Sequence, residues 1–436
     1  MKISIFGLGY VGAVTAACLA KRGHSVIAVD CAKTVVESIN AGRAPVVEPG
    51  LDELIREGVS KGLIRATADA GEAISKTELT LVCVATPSQA DGSLDLSYLR
   101  DACATIGAQL AEKNGRHAVA VRSSVLPGTL EQVVVPALEA ASGKQAGTDF
   151  GVASHPELLR ESTAIKDFDQ PTMTLIGALD NYSEMLLTTL YASLDAPIVR
   201  KTPAMIEMIK YATSAWQATK LSFANEMGSI AKDFGIDGRE VMDVVCQDRK
   251  LNLSPYNLHP SCAFGGSGLP RDVRALAHAA GTMGAHHALL DALLVSQTQQ
   301  AERARQLVEA SHKRKVGLLG LAFKAGTDDL RESPLVDLAA QLLERGYDLK
   351  IHDPHVDYNR IGGANRAYID ARVPELGRLL QAEAQAVIAH ADVIVIGNND
   401  VSYGDALSQL AAGKHVIDLV GQHSVTGAPA YNGIGW

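Results

Sequence analysis

Four polar residues, Lys210, Ser214, Gln217 and Asn225, recur at spacings of four, three and eight, close to one face of any helix that carries them. Such a seam suits a site between two halves of a protein, with plain solvated surface as the alternative. Upstream, Glu157 and Glu161 stand four residues apart in HPELLRES, just beyond an apolar stretch. Two carboxylates so placed suit acid–base work or the binding of sugar hydroxyls; exposed loop acids are the alternative. At the N-terminus, Gly7-Leu8-Gly9-Tyr10-Val11-Gly12 follows an apolar run, and Asp30 closes the next one. Gly7 permits a tight turn, Gly9 lets the backbone approach a pyrophosphate, and Gly12 allows helix and strand to pack closely. The helix start then presents free N–H groups to the phosphates. Asp30 suits ribose hydroxyls and repels a 2′-phosphate, which points to NAD rather than NADP.

Two further clusters carry chemistry. The run Gly265-Gly266-Ser267-Gly268 can wrap a ligand with successive N–H groups. Lys324, Asp328, Asp329, Arg331 and Glu332 follow an apolar run that has no GxGxxG, so a different nucleotide fits there better than a second dinucleotide.

The elements that must position these residues follow from periodicity. Strands are expected at Lys2 to Phe6, His24 to Asp30, Leu79 to Ala85, Ala118 to Arg122 and Phe150 to Ser154. Thr86 and Ser124 stand just past two of them, where an open parallel sheet holds its ligands, as cofactor contacts or helix caps. A helix over roughly 203 to 234 starts at Pro203, with Ile206, Ile209, Ala212, Trp216, Leu221, Ala224, Met227 and Ile230 as its apolar line. Two helices, about 273–283 and 286–312, come next. Strands at Arg314 to Gly320, Leu349–His352, Asp392–Ile396 and His415–Leu419 then have the spacing of a second doubly wound sheet. The division expected is 1–202, 203–312 and 313–436.

A chain of 436 residues accommodates two or three such domains. Its net charge of −9 argues against nucleic acid as a general partner. No apolar run approaches the ~20 residues of a membrane span, and the opening reads as strand and turn rather than a signal peptide. Cys18, Cys31, Cys83, Cys103, Cys246 and Cys262 show neither metal-ligand nor disulfide-scaffold spacing, so no metal and a reducing cytoplasm are expected.

Taken together, ISIFGLGYVGAV, RSSVLPGT, PELLRESTAIKDF, EMIKYA, FANE, CQDRKLNLS, FGGSGLPRDVRAL, GLLGLAFKAGTDDLRESPLV and DLVG resemble the UDP-glucose/GDP-mannose dehydrogenase family over essentially the whole chain. The GDP-mannose branch is the most similar. The resemblance implies an α/β protein of two doubly wound, Rossmann-like sheet domains joined by a long central helix that also forms a homodimer. It implies oxidation of a sugar CH2OH to a carboxylate with NAD, giving GDP-mannuronate, a polysaccharide precursor. Lys210, Glu157 and Asp272 would serve proton transfers. Gly7, Gly9, Tyr10, Val11, Gly12 and Asp30 would hold NAD, with Thr86, Ser124, Arg271 and Arg331 assisting. Glu161, Ser214, Gln217, Asn225, Tyr256, Asn257, His259, Cys262, Gly265 and Lys324 would face the nucleotide sugar.

The family's second oxidation uses a cysteine that forms a thiohemiacetal and then a thioester. Here that position is Gly268. Ser214 replaces an asparagine, Arg271 a lysine, and Val35 a lysine near the cofactor, with Lys33 as a substitute. The tyrosine-rich loop keeps only Tyr256. Three readings follow: an introduced substitution, a divergent enzyme that oxidises the aldehyde hydrate, or a protein that stops at the aldehyde or only binds. Cys262 is the one thiol on the same loop.

Overall fold

The computed structural model describes residues 1–233, 235–248, 259–283, 287–408, 410, 413–421 and 430–436, and every count or absence stated here is of those residues. The chain forms two compact units, Met1–Thr213 and Ser214–Trp436.

In the first unit the strands are β1 (Lys2–Phe6), β2 (Ser25–Val29), β3 (Ile64–Thr67), β4 (Leu79–Val82), β5 (Ala118–Val121), β6 (Gly151–Ser154), β7 (Thr174–Ala178) and β8 (Ile198–Arg200). They form one sheet in the order β3-β2-β1-β4-β5-β6-β7-β8. Neighbours pair parallel except β6 and β7, which pair antiparallel. Successive residues face opposite sides, so Ile3, Ile5, Leu79 and Leu81 pack into one core while Phe6, Val82, Val119 and Val121 pack into the other. That double burial is why these strands read as continuous apolar runs. Strands β3 and β8 escape a reading by apolar runs because they are brief and half buried, whereas β7 is five residues long and buried and was also not expected.

The second unit has β9 (Lys315–Leu319), β10 (Asp348–His352), β11 (Val393–Ile396), β12 (His415–Asp418) and β13 (Tyr431–Gly433), all parallel, in the order β10-β9-β11-β12-β13. Its first corner repeats that of the first sheet. Gly7 N–H donates to Val29 and Gly320 N–H to His352, each with positive φ, and Asp30 and Asp353 accept backbone N–H groups across the turn. After Gly7 a helix begins within three residues. After Gly320 the chain runs as a loop to helix Pro334–Glu344, capped by Ser333.

The long helix spans Pro203–Asp233, close to expectation. Of its expected apolar line Ile206 and Ala224 are buried, but Ala212 and Trp216 are exposed. The buried line runs instead through Glu207, Tyr211, Ser214, Ala218, Ser222 and Asn225, a polar seam at helical spacing. The helix after the glycine loop starts at Leu269 rather than 273, with Pro270 in its first turn, where no N–H is required. The next helix is Ala288–Ala310.

Glu207 is 1% exposed, and its carboxylate accepts from Gly128 N–H (2.7 Å) and Leu130 N–H (3.1 Å). Burial outweighs these bonds and pushes its pKa up to about 7 from 4.5. A pKa raised on folding gives stability that is complete below the unfolded value and is lost as pH rises through the folded one. Glu207→Gln should therefore flatten the decline in stability between pH 4.5 and about 7, measured as Tm against pH relative to wild type.

Candidate active site

The glycine turn fits the role assigned from spacing. Gly7 has φ +91, and a Cβ there would meet the Cys83 and Val84 backbone at 2.9 Å. A Cβ on Gly12 would lie 1.8 Å from the Gly7 carbonyl oxygen, so that helix and strand approach as only glycine allows. Gly9 differs: a Cβ there meets nothing within 4 Å, leaving open space at the start of helix Tyr10–Lys21. Asp30 accepts from Leu8 N–H (2.8 Å) and Ala32 N–H (2.9 Å), which fixes its carboxylate at the end of β2. An exposed glycine, free helical N–H groups and a fixed acid fit the pyrophosphate and ribose of NAD.

Thr86 and Ser124 lie past β4 and β5, and neither caps a helix. The Thr86 hydroxyl donates to the Ser124 carbonyl (2.8 Å), tying the two loops together along the carboxyl edge. Lys33 reaches Glu37 at 3.7 Å.

Past β6 on the same edge, Glu157 meets Lys210. The ammonium donates to Glu157 Oε1 at 3.0 Å, with side chains 12% and 10% exposed. The other carboxylate oxygen accepts from Leu159 N–H. Glu161 lies half buried on the same loop, whose Arg160 is bound to Asp167. Sequence alone named Lys210 and Glu157; the fold joins them across 53 residues.

In the second unit, buried Ser214 donates to Asp272 Oδ2 (3.0 Å), while Arg271 donates to Asp272 Oδ1 from Nε (2.9 Å) and Nη2 (2.7 Å). These three positions converge. Asn225 accepts from Ser261 N–H (2.6 Å) and so holds the loop that precedes the glycines. Gln297 and Gln300, which the sequence reading missed, hold it at Phe264 N–H and the Ser261 carbonyl. Their signal was faint: polar residues three apart on a helix with few other buried ones. Gln217 and Lys324 are half buried, Arg331 is paired with Asp329 (2.7 Å), and His259 lies 3.6 Å from Asp243. Tyr256 and Asn257 lie outside the described residues.

Two of the expected positions are closely packed. A Cβ on Gly265 would strike the Glu332 carbonyl and Pro334 at 2.6 Å, and one on Gly266 would strike the Phe323 ring at 2.7 Å. These glycines allow close packing on the loop after β9, which a two-pronged Arg274–Glu332 pair also holds. The Cys262 thiol lies in the core of the second unit, where burial pushes its pKa up to about 12. Held protonated in this way, it is a poor nucleophile. Gly268 is the open position: it precedes helix Leu269–Thr282, and a Cβ there meets nothing within 4 Å.

A doubly wound sheet with a dinucleotide turn, and a lysine–carboxylate pair on its carboxyl edge, defines an NAD-binding dehydrogenase. The comparisons narrow the class. Models of the UDP-glucose/GDP-mannose dehydrogenase family match the NAD binding domain at residues 1–195, the central domain at 204–298 and the UDP binding domain at 317–423. The GDP-mannose 6-dehydrogenase of Pseudomonas putida is 55% identical over 421 residues, 97% of this chain and 96% of that protein. A UDP-glucose dehydrogenase structure from Pyrobaculum islandicum superposes with TM-score 0.91 at 34% identity, covering 100% and 98% of the two chains. A ternary complex of the Pseudomonas aeruginosa GDP-mannose dehydrogenase is 51% identical with TM-score 0.58, covering both chains fully. The chain belongs to the UDP-glucose/GDP-mannose dehydrogenase family. No helix is long and apolar enough to cross a membrane.

The two open and closed glycines separate binding from folding. Gly9→Ala should leave Tm unchanged and weaken NAD binding at least roughly tenfold in a fluorescence titration, the equivalent of ~1.4 kcal/mol. Gly12→Ala should instead lower Tm by several degrees, since overpacking costs ~1–3 kcal/mol.

Proposed function

We propose that the chain is an NAD-dependent nucleotide-sugar 6-dehydrogenase acting on GDP-mannose in the cytoplasm, with a first oxidation that outruns the second. The observation that carries this reading is the buried Lys210–Glu157 pair on the carboxyl edge of the sheet that also carries the glycine turn, in a chain more than half identical to GDP-mannose 6-dehydrogenases. Bound NAD supplies the hydride acceptor. A water held by the Glu157 carboxylate, or Lys210 once it has passed its own proton to Glu157, takes the alcohol proton as the C6 hydride departs, converting CH2OH to CHO. Glu161 and Lys324 bind the nucleotide sugar, and Asn225 acts by holding the loop before Gly268. Arg331 and Arg271 assist on the cofactor side. The six free cysteines suit a reducing compartment.

Turning CHO into a carboxylate consumes one water and yields a second hydride and two protons. Without a thiol at 268, the carbon must carry the hydroxyl of its hydrate before hydride can leave. The aldehyde therefore accumulates. A second reading, a protein that binds nucleotide sugars without turnover, rests on the same glycine. UDP-sugars are the alternative substrates, favoured by the description of the C-terminal family model.

With GDP-mannose and NAD, the protein should form fewer than two NADH per sugar, with aldehyde captured by a carbonyl reagent. Two NADH and GDP-mannuronate would overturn the partial oxidation, and no NADH on any sugar would overturn the enzyme. Gly268→Cys has room for its side chain, and its place at a helix start lowers a thiol pKa, so it should raise the yield toward two.

The family's homodimer is also supported by exposed Met205, Met208, Trp216 and Phe223, which repeat at helical spacing along the long helix. Changing Trp216 and Phe223 together to Glu should shift sedimentation from dimer to monomer. A wild-type monomer would refute the assembly.

A further inference from the structure

Glu48 belongs to none of the residue sets above, yet it is a buried carboxylate that accepts from three donors. Oε1 accepts from Ala164 N–H (2.8 Å), and Oε2 accepts from Ser162 N–H (2.8 Å) and from the Tyr10 hydroxyl. The Tyr10 oxygen in turn lies 3.1 Å from Ser162 N–H. Helix Ala164–Asp169 receives no side-chain cap from Thr163; Glu48 supplies it from 116 residues upstream. The held backbone is unusual, since Ser162 is a non-glycine residue at φ +67. A left-handed serine persists where its surroundings over-determine it.

The two ends of this contact matter. Tyr10 follows Gly9 and opens the helix whose N–H groups face the pyrophosphate. Ser162 ends the loop that carries Glu157, Arg160 and Glu161. Burial and the adjacent Glu48 carboxylate keep the Tyr10 phenol protonated, so it stays a donor. We propose that Glu48 is a positioning residue that, through Tyr10, couples cofactor occupancy of the glycine turn to the geometry of the substrate loop. The coupling rests on the dehydrogenase reading above for its second ligand but not for its first. Because linkage is reciprocal, each ligand then tightens the other.

Hydrogen exchange with NAD alone tests the structural half. NAD should slow exchange at Ser162 and Ala164 in wild type, and Tyr10→Phe, which keeps the Glu48–backbone bonds, should abolish that slowing at saturating NAD. Full NAD-induced protection in Tyr10→Phe overturns the proposal, as does its absence in wild type. The functional half is read as the change in nucleotide-sugar affinity on adding NAD, expected at roughly fivefold or more in wild type. It should fall toward one in Tyr10→Phe and in Glu48→Gln, with no further loss in the double variant. Additive losses would mean two independent structural roles and would overturn the relay. If no sugar binds at all, the dehydrogenase reading fails, while the exchange result with NAD still decides the relay.

Discussion

An ammonium and a carboxylate held 3.0 Å apart and largely shielded from water form the contact that fixes the long helix against the carboxyl edge of the first sheet. As a source of stability such a pair is poor: desolvation consumes most of the attraction, and apolar residues of the same volume often do as well. As a constraint it is strong, because removing either partner strands a buried charge. Strand β6 must end at Ser154 for the loop to deliver Glu157, and the long helix must pass within reach. Glu207, three residues before Lys210, fastens that helix by accepting the N–H groups of Gly128 and Leu130. Two carboxylates, one on the helix and one against it, therefore fix where the lysine stands.

The second unit follows the same economy around Asp272. Ser214 occupies one of its oxygens and Arg271 the other, so the carboxylate is fully engaged at the start of its helix. Gly268 sits one turn earlier with open space where a side chain would project. Closely packed glycines at 265 and 266 next to a free one at 268 show that one glycine-rich loop can serve two physical purposes.

Periodicity located the long helix to within a residue of its end and drew Ser214 and Asn225 onto one buried face, because a helix repeats its environment every three to four residues. It placed Trp216 on the wrong face, since much of a folded surface is apolar and a large apolar side chain does not by itself mark the core. The glycine turn and Asp30 were legible because every requirement there is local: a tight turn, a close approach, an acid at the next strand end. The sulfur of Cys262 was only a candidate until its burial among Leu318, Leu321 and Leu335 was known.

Strands, turns, the helix seam and the dinucleotide corner are written in neighbouring residues, where backbone geometry and the alternation of apolar side chains act over a few ångströms. The pairings Lys210–Glu157, Ser214–Asp272 and Glu48–Ala164 join residues 53, 58 and 116 positions apart, and no short-range rule selects them. Only the folded sheet and helix bring those groups within hydrogen-bond distance, because burial away from water leaves each charge one another's company or none.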